Sequence, residues 1–114
     1  MSGTEAFDSI ANALLKDARI TYTQMFGSPG LKVGGKVFAM LYKGKLVIKL
    51  PQGRVRALIA TGDGELFDPG HGRLMKEWVA VGQGAKAEWL PLVREARDFV
   101  VSGQVARIGR RKRR

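Results

Sequence analysis

The sequence predicts a two-layer α+β domain: helices packed on one face of an antiparallel sheet. Two observations carry this. Apolar residues recur at helical spacing near both ends of the chain. Between them, residues 20–50 alternate with a period of two, punctuated by glycine turns. A third observation bounds the class. No window approaches 18 uninterrupted apolar residues, which excludes a transmembrane helix. At 114 residues, 45% hydrophobic and 26% charged, the chain is sized and composed as one globular domain.

The elements follow in order. Phe7, Ile10, Ala11, Leu14 and Ala18 form one apolar stripe, so residues 4–18 read as an amphipathic helix. Ser2 and Glu5 have capping-box spacing at its start. Ile20 to Met25 is rich in β-branched and aromatic residues. The segment 26–30, Phe-Gly-Ser-Pro-Gly, reads as a bulge or irregular turn inside that strand, which resumes at Leu31-Lys32-Val33. Gly34-Gly35 is a hairpin signal. Lys36–Tyr42 and Lys45–Leu50 are the next strands, joined at Lys43-Gly44, completing a three-stranded meander. In the last of these Leu46, Ile48 and Leu50 take one face and Lys45, Val47 and Lys49 the other.

Pro51 ends the sheet run. Residues 52–61 read as a short helix burying Val55, Leu58 and Ile59, with Gly62 at the left-handed C′ position. Gly64–Asp68 and Leu74–Val81 are strands around a Pro69-Gly70-His71-Gly72 loop. Gly82-Gln83-Gly84 turns the chain into a helix over 88–102. Its stripe is Trp89, Leu92, Val93, Ala96, Phe99 and Val100, and Pro91 sits in the first turn, where its missing N–H costs little. Gly103 ends it. The order is α-β-β-β-α-β-β-α, with residues 1–103 as the domain and 104–114 as a basic, disordered tail.

Charge is concentrated in that tail. The chain has 20 Lys and Arg against 10 Asp and Glu, a net +10. Six bases fall in the last eight residues: Arg107, Arg110, Arg111, Lys112, Arg113 and Arg114. Removing these six leaves 14 bases against 10 acids. A block of this kind repels itself and attracts polyanions. Lys45 and Lys49, with Lys32, Lys36 and Lys43 on neighbouring strands and turns, extend a basic strip along the sheet. The chain has no cysteine, which removes disulfides and thiolate chemistry and fits a reducing compartment. Residues 1–10 lack the basic and apolar regions of a signal peptide, so the expected location is cytoplasmic.

Several segments resemble the N-terminal domain of the TfoX/Sxy family. They are Met25-Phe26-Gly27 with Gly30-Leu31, Gly35-Lys36-Val37-Phe38-Ala39, Leu46-Val47-Ile48-Lys49, and Phe67-Asp68-Pro69-Gly70-His71-Gly72-Arg73. Met75-Lys76-Glu77-Trp78-Val79 follows, and Trp89-Leu90-Pro91-Leu92 with Ala96-Arg97 and Phe99 completes the set. The resemblance spans roughly residues 5–102. It implies a two-layer fold with an antiparallel sheet and a bacterial, regulatory role. The best-known members regulate natural competence together with a transcription factor and carry a second, helical domain, where this sequence has its basic tail. The resemblance brings no catalytic residues with it.

Other constellations argue for little. His71, the single histidine, would have only Glu65, Asp68 and Glu77 near it in sequence, a poor ligand set for a metal. None of Ser2, Ser9, Ser28 or Ser102 sits in a nucleophile elbow. Gly82-Gln83-Gly84-Ala85-Lys86-Ala87 matches a dinucleotide fingerprint formally, but no strand and ribose-binding acid follow it. Phe38, Met40 and Tyr42 share a face by alternation, as the stacking residues of an RNA-binding strand do; packing under a helix is the plainer reading.

The sequence therefore predicts a non-enzymatic binding module without catalytic residues, metal or cofactor. Its expected partner is nucleic acid or a nucleoprotein, engaged by Arg107, Arg110, Arg111, Lys112, Arg113 and Arg114 with Lys45 and Lys49. The alternative is a protein–protein adaptor with a merely solvating tail; a homodimer through an exposed sheet edge would suit it. A membrane partner is not expected.

Overall fold

The computed structural model describes residues 3–25, 28–67, 75–82 and 88–112, with backbone alone at 3, 4, 25, 75, 76 and 104–112. Three helices lie on one face of a six-stranded antiparallel sheet. The elements are α1 (Gly3–Leu14), β1 (Ile20–Met25), β2 (Ser28–Val33), β3 (Lys36–Tyr42), β4 (Lys45–Lys49), α2 (Gln52–Ala60), β5 (Gly64–Phe67), β6 (Met75–Val81) and α3 (Trp89–Lys112). Spatial order is β1-β2-β3-β4-β6-β5. The α+β class and the antiparallel sheet agree with the sequence reading. The order contains one more strand.

That strand arises because 20–33 is not one interrupted strand, as the expected bulge or irregular turn over 26–30 would make it, but two strands: Ile20 pairs with Val33 and Met25 with Ser28 in antiparallel register. The meander has four strands. Phe26 and Gly27 lie outside the described residues. So do Ser2 of the expected capping box, residues 68–74 with the expected Pro69-Gly70-His71-Gly72 loop, and Gln83 to Ala87 of the expected glycine-rich turn.

The two turns predicted from glycine are where expected. Gly34 and Gly35 have φ of 58° and 79°, and Lys43 and Gly44 have 51° and 79°. Positive φ at both central residues matches the right-handed twist of the flanking strands. Lys43 is the non-glycine residue that accepts this conformation.

The bulge lies elsewhere. Between Leu31 and Lys32 the pairing on β3 jumps from Ala39 to Val37, leaving Phe38 as the extra residue. A bulge breaks the alternation of faces. Phe38 and Ala39 therefore both point toward the helices, where Phe38 is fully buried. The alternation that placed Phe38 with Met40 and Tyr42 fails at this point. Met40 and Tyr42 belong to the opposite face.

The core sits between helices and sheet. Phe7, Ile10, Ala11 and Leu14 of α1 meet Leu41, Leu46, Ile48 and Leu50, with Leu92, Val93, Ala96 and Val100 of α3 beside them. α3 packs across β2, β3 and β4, and α2 covers β5 and β6. Val55 and Leu58 of α2 are buried, but Ile59 is exposed, contrary to expectation. Gly62, at φ 84°, closes α2: its N–H donates to the Ile59 carbonyl and the Asp63 N–H to that of Leu58. That is the Schellman pattern.

Two helix ends depart from the sequence reading. α1 stops at Leu14 rather than 18. The Asp17 carboxylate accepts from the Arg19 backbone N–H at 2.9 Å, and such a side-chain bond competes with continued helix. Ala18 is consequently exposed. At the other end, Gly103 does not stop α3, which runs to Lys112. A helical glycine costs about 1 kcal/mol relative to alanine, a penalty and not a block. The disordered path assigned to the tail gives way to helical backbone over 104–112.

Candidate nucleic-acid interface

α3 positions four of the six terminal bases. Its first turn is fixed by Trp89, whose indole N–H donates to the Gly82 carbonyl at 3.2 Å, tying the helix to the end of β6. Leu92, Val93, Ala96 and Val100 hold it on the sheet. A bridge of 2.8 Å between Arg54 and Glu95 links it to α2. After Val101 no further described α3 side chain joins the core. The helix then carries Arg107, Arg110, Arg111 and Lys112 on its backbone. The first three recur at i, i+3 and i+4, which places their backbone positions along one side. No acid follows Asp98 in the chain. Arg113 and Arg114 lie outside the described residues.

Lys45 and Lys49 stand on the other face of the sheet. Leu46, Ile48 and Leu50 enter the core and Val47 does not, so the alternation predicted for β4 holds. Each lysine is opposite an aromatic residue on a neighbouring strand: Lys45 pairs with Tyr42 and Lys49 with Trp78. Between them Met40, Val47, Phe67 and Ala80 form a second small apolar cluster, with Tyr42 and Trp78 packed against it. The Tyr42 and Phe67 rings meet edge to face with centroids 5.5 Å apart, and the Lys43 ammonium lies 5.3 Å from the Tyr42 ring centre.

A cleft of about 290 Å³ opens here, lined by Tyr42, Lys43, Lys45, Val47, Glu65 and Phe67 among others. Lys45 is ion-paired with Glu65 across its rim. Its charge is therefore partly compensated, whereas Lys49 has no ion pair among the described residues. Sequence reasoning singled out the lysines but missed Trp78 as their neighbour. The signal existed: Trp78 falls two residues from Ala80 and so shares its face, but the strand pairing that sets it beside Lys49 is not local in sequence.

α3 packs on the helix-covered face, and Lys45 and Lys49 lie on the opposite one, with the sheet between.

The described residues contain no cluster of three or more His, Asp or Glu able to hold a metal. Among the described residues no helix is long and apolar enough to cross a membrane. A strongly shifted acid is Asp17, in the turn after α1. Side-chain hydrogen bonds from Arg19 hold its carboxyl at about 2, and the Arg19 backbone N–H adds to the effect. It organises the turn by accepting from the Arg19 side chain and backbone.

No family model, no curated protein and no solved structure matches this chain.

Proposed function

We propose that this chain is a non-enzymatic module that binds nucleic acid through the basic end of α3. One observation carries the reading: α3 continues past the core to Lys112, bringing four bases into its last six residues with no acid after Asp98. Helical backbone holds Arg107, Arg110 and Arg111 in a fixed arrangement along one side, with neighbouring positions about 5–6 Å apart. Ordering them before contact lowers the entropy lost on binding. Phosphate contacts position a protein without reading sequence. The module therefore supplies affinity, and selectivity would come from a partner. The sequence resemblance to TfoX/Sxy domains, whose best-known members act beside a transcription factor, is consistent with the same assignment.

The test is fluorescence anisotropy on labelled duplex DNA, single-stranded DNA and RNA, comparing the native chain with an Arg110→Gln/Arg111→Gln/Lys112→Gln variant. Three lost phosphate contacts shift the log–log salt slope on duplex by about 2.7. An unchanged slope and affinity in the variant would contradict the proposal.

A further inference from the structure

The two edges of the sheet are built differently. β5 is four residues long, carries Glu65, has a register irregularity between Leu66 and Phe67, and is covered by α2. Short, charged, irregular edges discourage pairing with another chain. β1 has none of these devices. Its six residues, Ile-Thr-Tyr-Thr-Gln-Met, include no charge, no proline and no glycine, and pair with β2 in unbroken register. Thr21, Tyr22 and Gln24 are exposed, and among the described residues β1 has only β2 as a substantial neighbour. Its outer row of backbone N–H and C=O groups is an open half-ladder in a protein otherwise supplied with 20 basic side chains.

The strand is also suited to itself. A two-fold axis perpendicular to the sheet makes two β1 strands antiparallel and keeps each residue on its own side. Residues directly opposite must then have the same parity. Centring the axis on Tyr22 pairs Tyr22 with its copy, Thr21 with Thr23 and Ile20 with Gln24. Aromatic pairs and threonine pairs are favourable cross-strand neighbours. Tyr22 lies opposite Leu31 and so belongs to the helix side, as buried Ile20 does, yet it is 47% exposed. Its copy would occupy that space.

We infer that β1 is a homodimerisation edge, joining two six-stranded sheets through a Tyr22-centred antiparallel pair. The partner is a second copy of this chain. A net charge of +10 on each protomer opposes the association. Screening by salt therefore strengthens the dimer, the reverse of its effect on nucleic-acid binding. The opposite signs separate this inference from the proposed function, on which it does not depend.

The experiment is sedimentation equilibrium of the full chain without nucleic acid, from about 50 to 300 mM salt. The native chain forms a dimer whose fraction rises with concentration and with salt. Tyr22→Lys sets like charges directly opposite and yields a monomer; circular dichroism checks its fold, and Gln24→Lys serves if it fails to fold. The chain has no cysteine, so Tyr22→Cys introduces a single thiol. Opposed Cα atoms about 4.5–5.5 Å apart permit a disulfide, so diamide links two Tyr22→Cys chains. A native chain that stays monomeric overturns the inference. So does a dimer that survives Tyr22→Lys and gives no cross-link at position 22.

Discussion

Single residues set the local geometry, and three of them make checkable claims. Gly64 opens β5 where α2 and β6 converge. A methyl group there would stand 2.6 Å from Val79 Cγ2 and 3.5 Å from Leu58 Cβ. Val79 is fully buried and cannot swing away. Gly64→Ala is expected to destabilise the fold by about 1–3 kcal/mol, read from chemical denaturation. Lys43 has the opposite problem: its φ of 51° strains any side chain, and Gly44 beside it has space. Lys43→Gly should raise the melting temperature, since left-handed backbone costs an L-residue about 1–2 kcal/mol. Asp17 governs the acid limb. Its carboxyl falls from an ordinary 3.8 to about 2, so the charged form is favoured in the folded protein. The stabilisation is present above pH 4 or so and is lost as pH falls through about 2. Asp17→Asn should flatten the dependence of melting temperature on pH in that window and leave neutral pH behaviour little changed beyond the lost turn contacts.

At the level of elements, what the sequence showed depended on how local the cause was. The turns at Gly34-Gly35 and Lys43-Gly44 were legible because two adjacent residues determine them. The burial alternation of β4 was legible because one strand with one wet face displays it. Three features were not. Strands 20–25 and 28–33 pair with each other where the sequence showed one interrupted strand, because strand and bulge are told apart by what 20–25 pairs with. The bulge at Phe38 has no glycine to mark it; the register of β2 against β3 decides it, and with it which aromatics face the helices. Gly103 resembled a helix stop, but the helical neighbours on either side carry α3 through. Of the candidate site, the bases themselves were legible, since charge needs no fold to be counted. That Lys45 and Lys49 stand across the sheet from the core-packed part of α3 was not. If α3 is continuous, Gly103→Ala should strengthen it by about 1 kcal/mol and increase the far-ultraviolet helical signal.

For the whole molecule, the arrangement separates tasks. The helix side of the sheet holds the main core, and its last helix carries basic residues beyond that core. The opposite side has a smaller apolar cluster ringed by Tyr42, Trp78, Lys45 and Lys49. The β1 edge is uncharged, whereas the other edge is short and covered. A dimer through β1 would present two basic helix ends to one polyanion, and linked sites raise apparent affinity without new contacts. The central claim remains the basic end of α3. Its most direct test is the salt dependence of duplex binding by the native chain. If the six terminal bases each neutralise one phosphate, log affinity falls against log salt with a slope of about −5, and replacing all six with glutamine removes the slope together with the binding. A slope near zero, or binding that persists unchanged in the glutamine variant, contradicts the account.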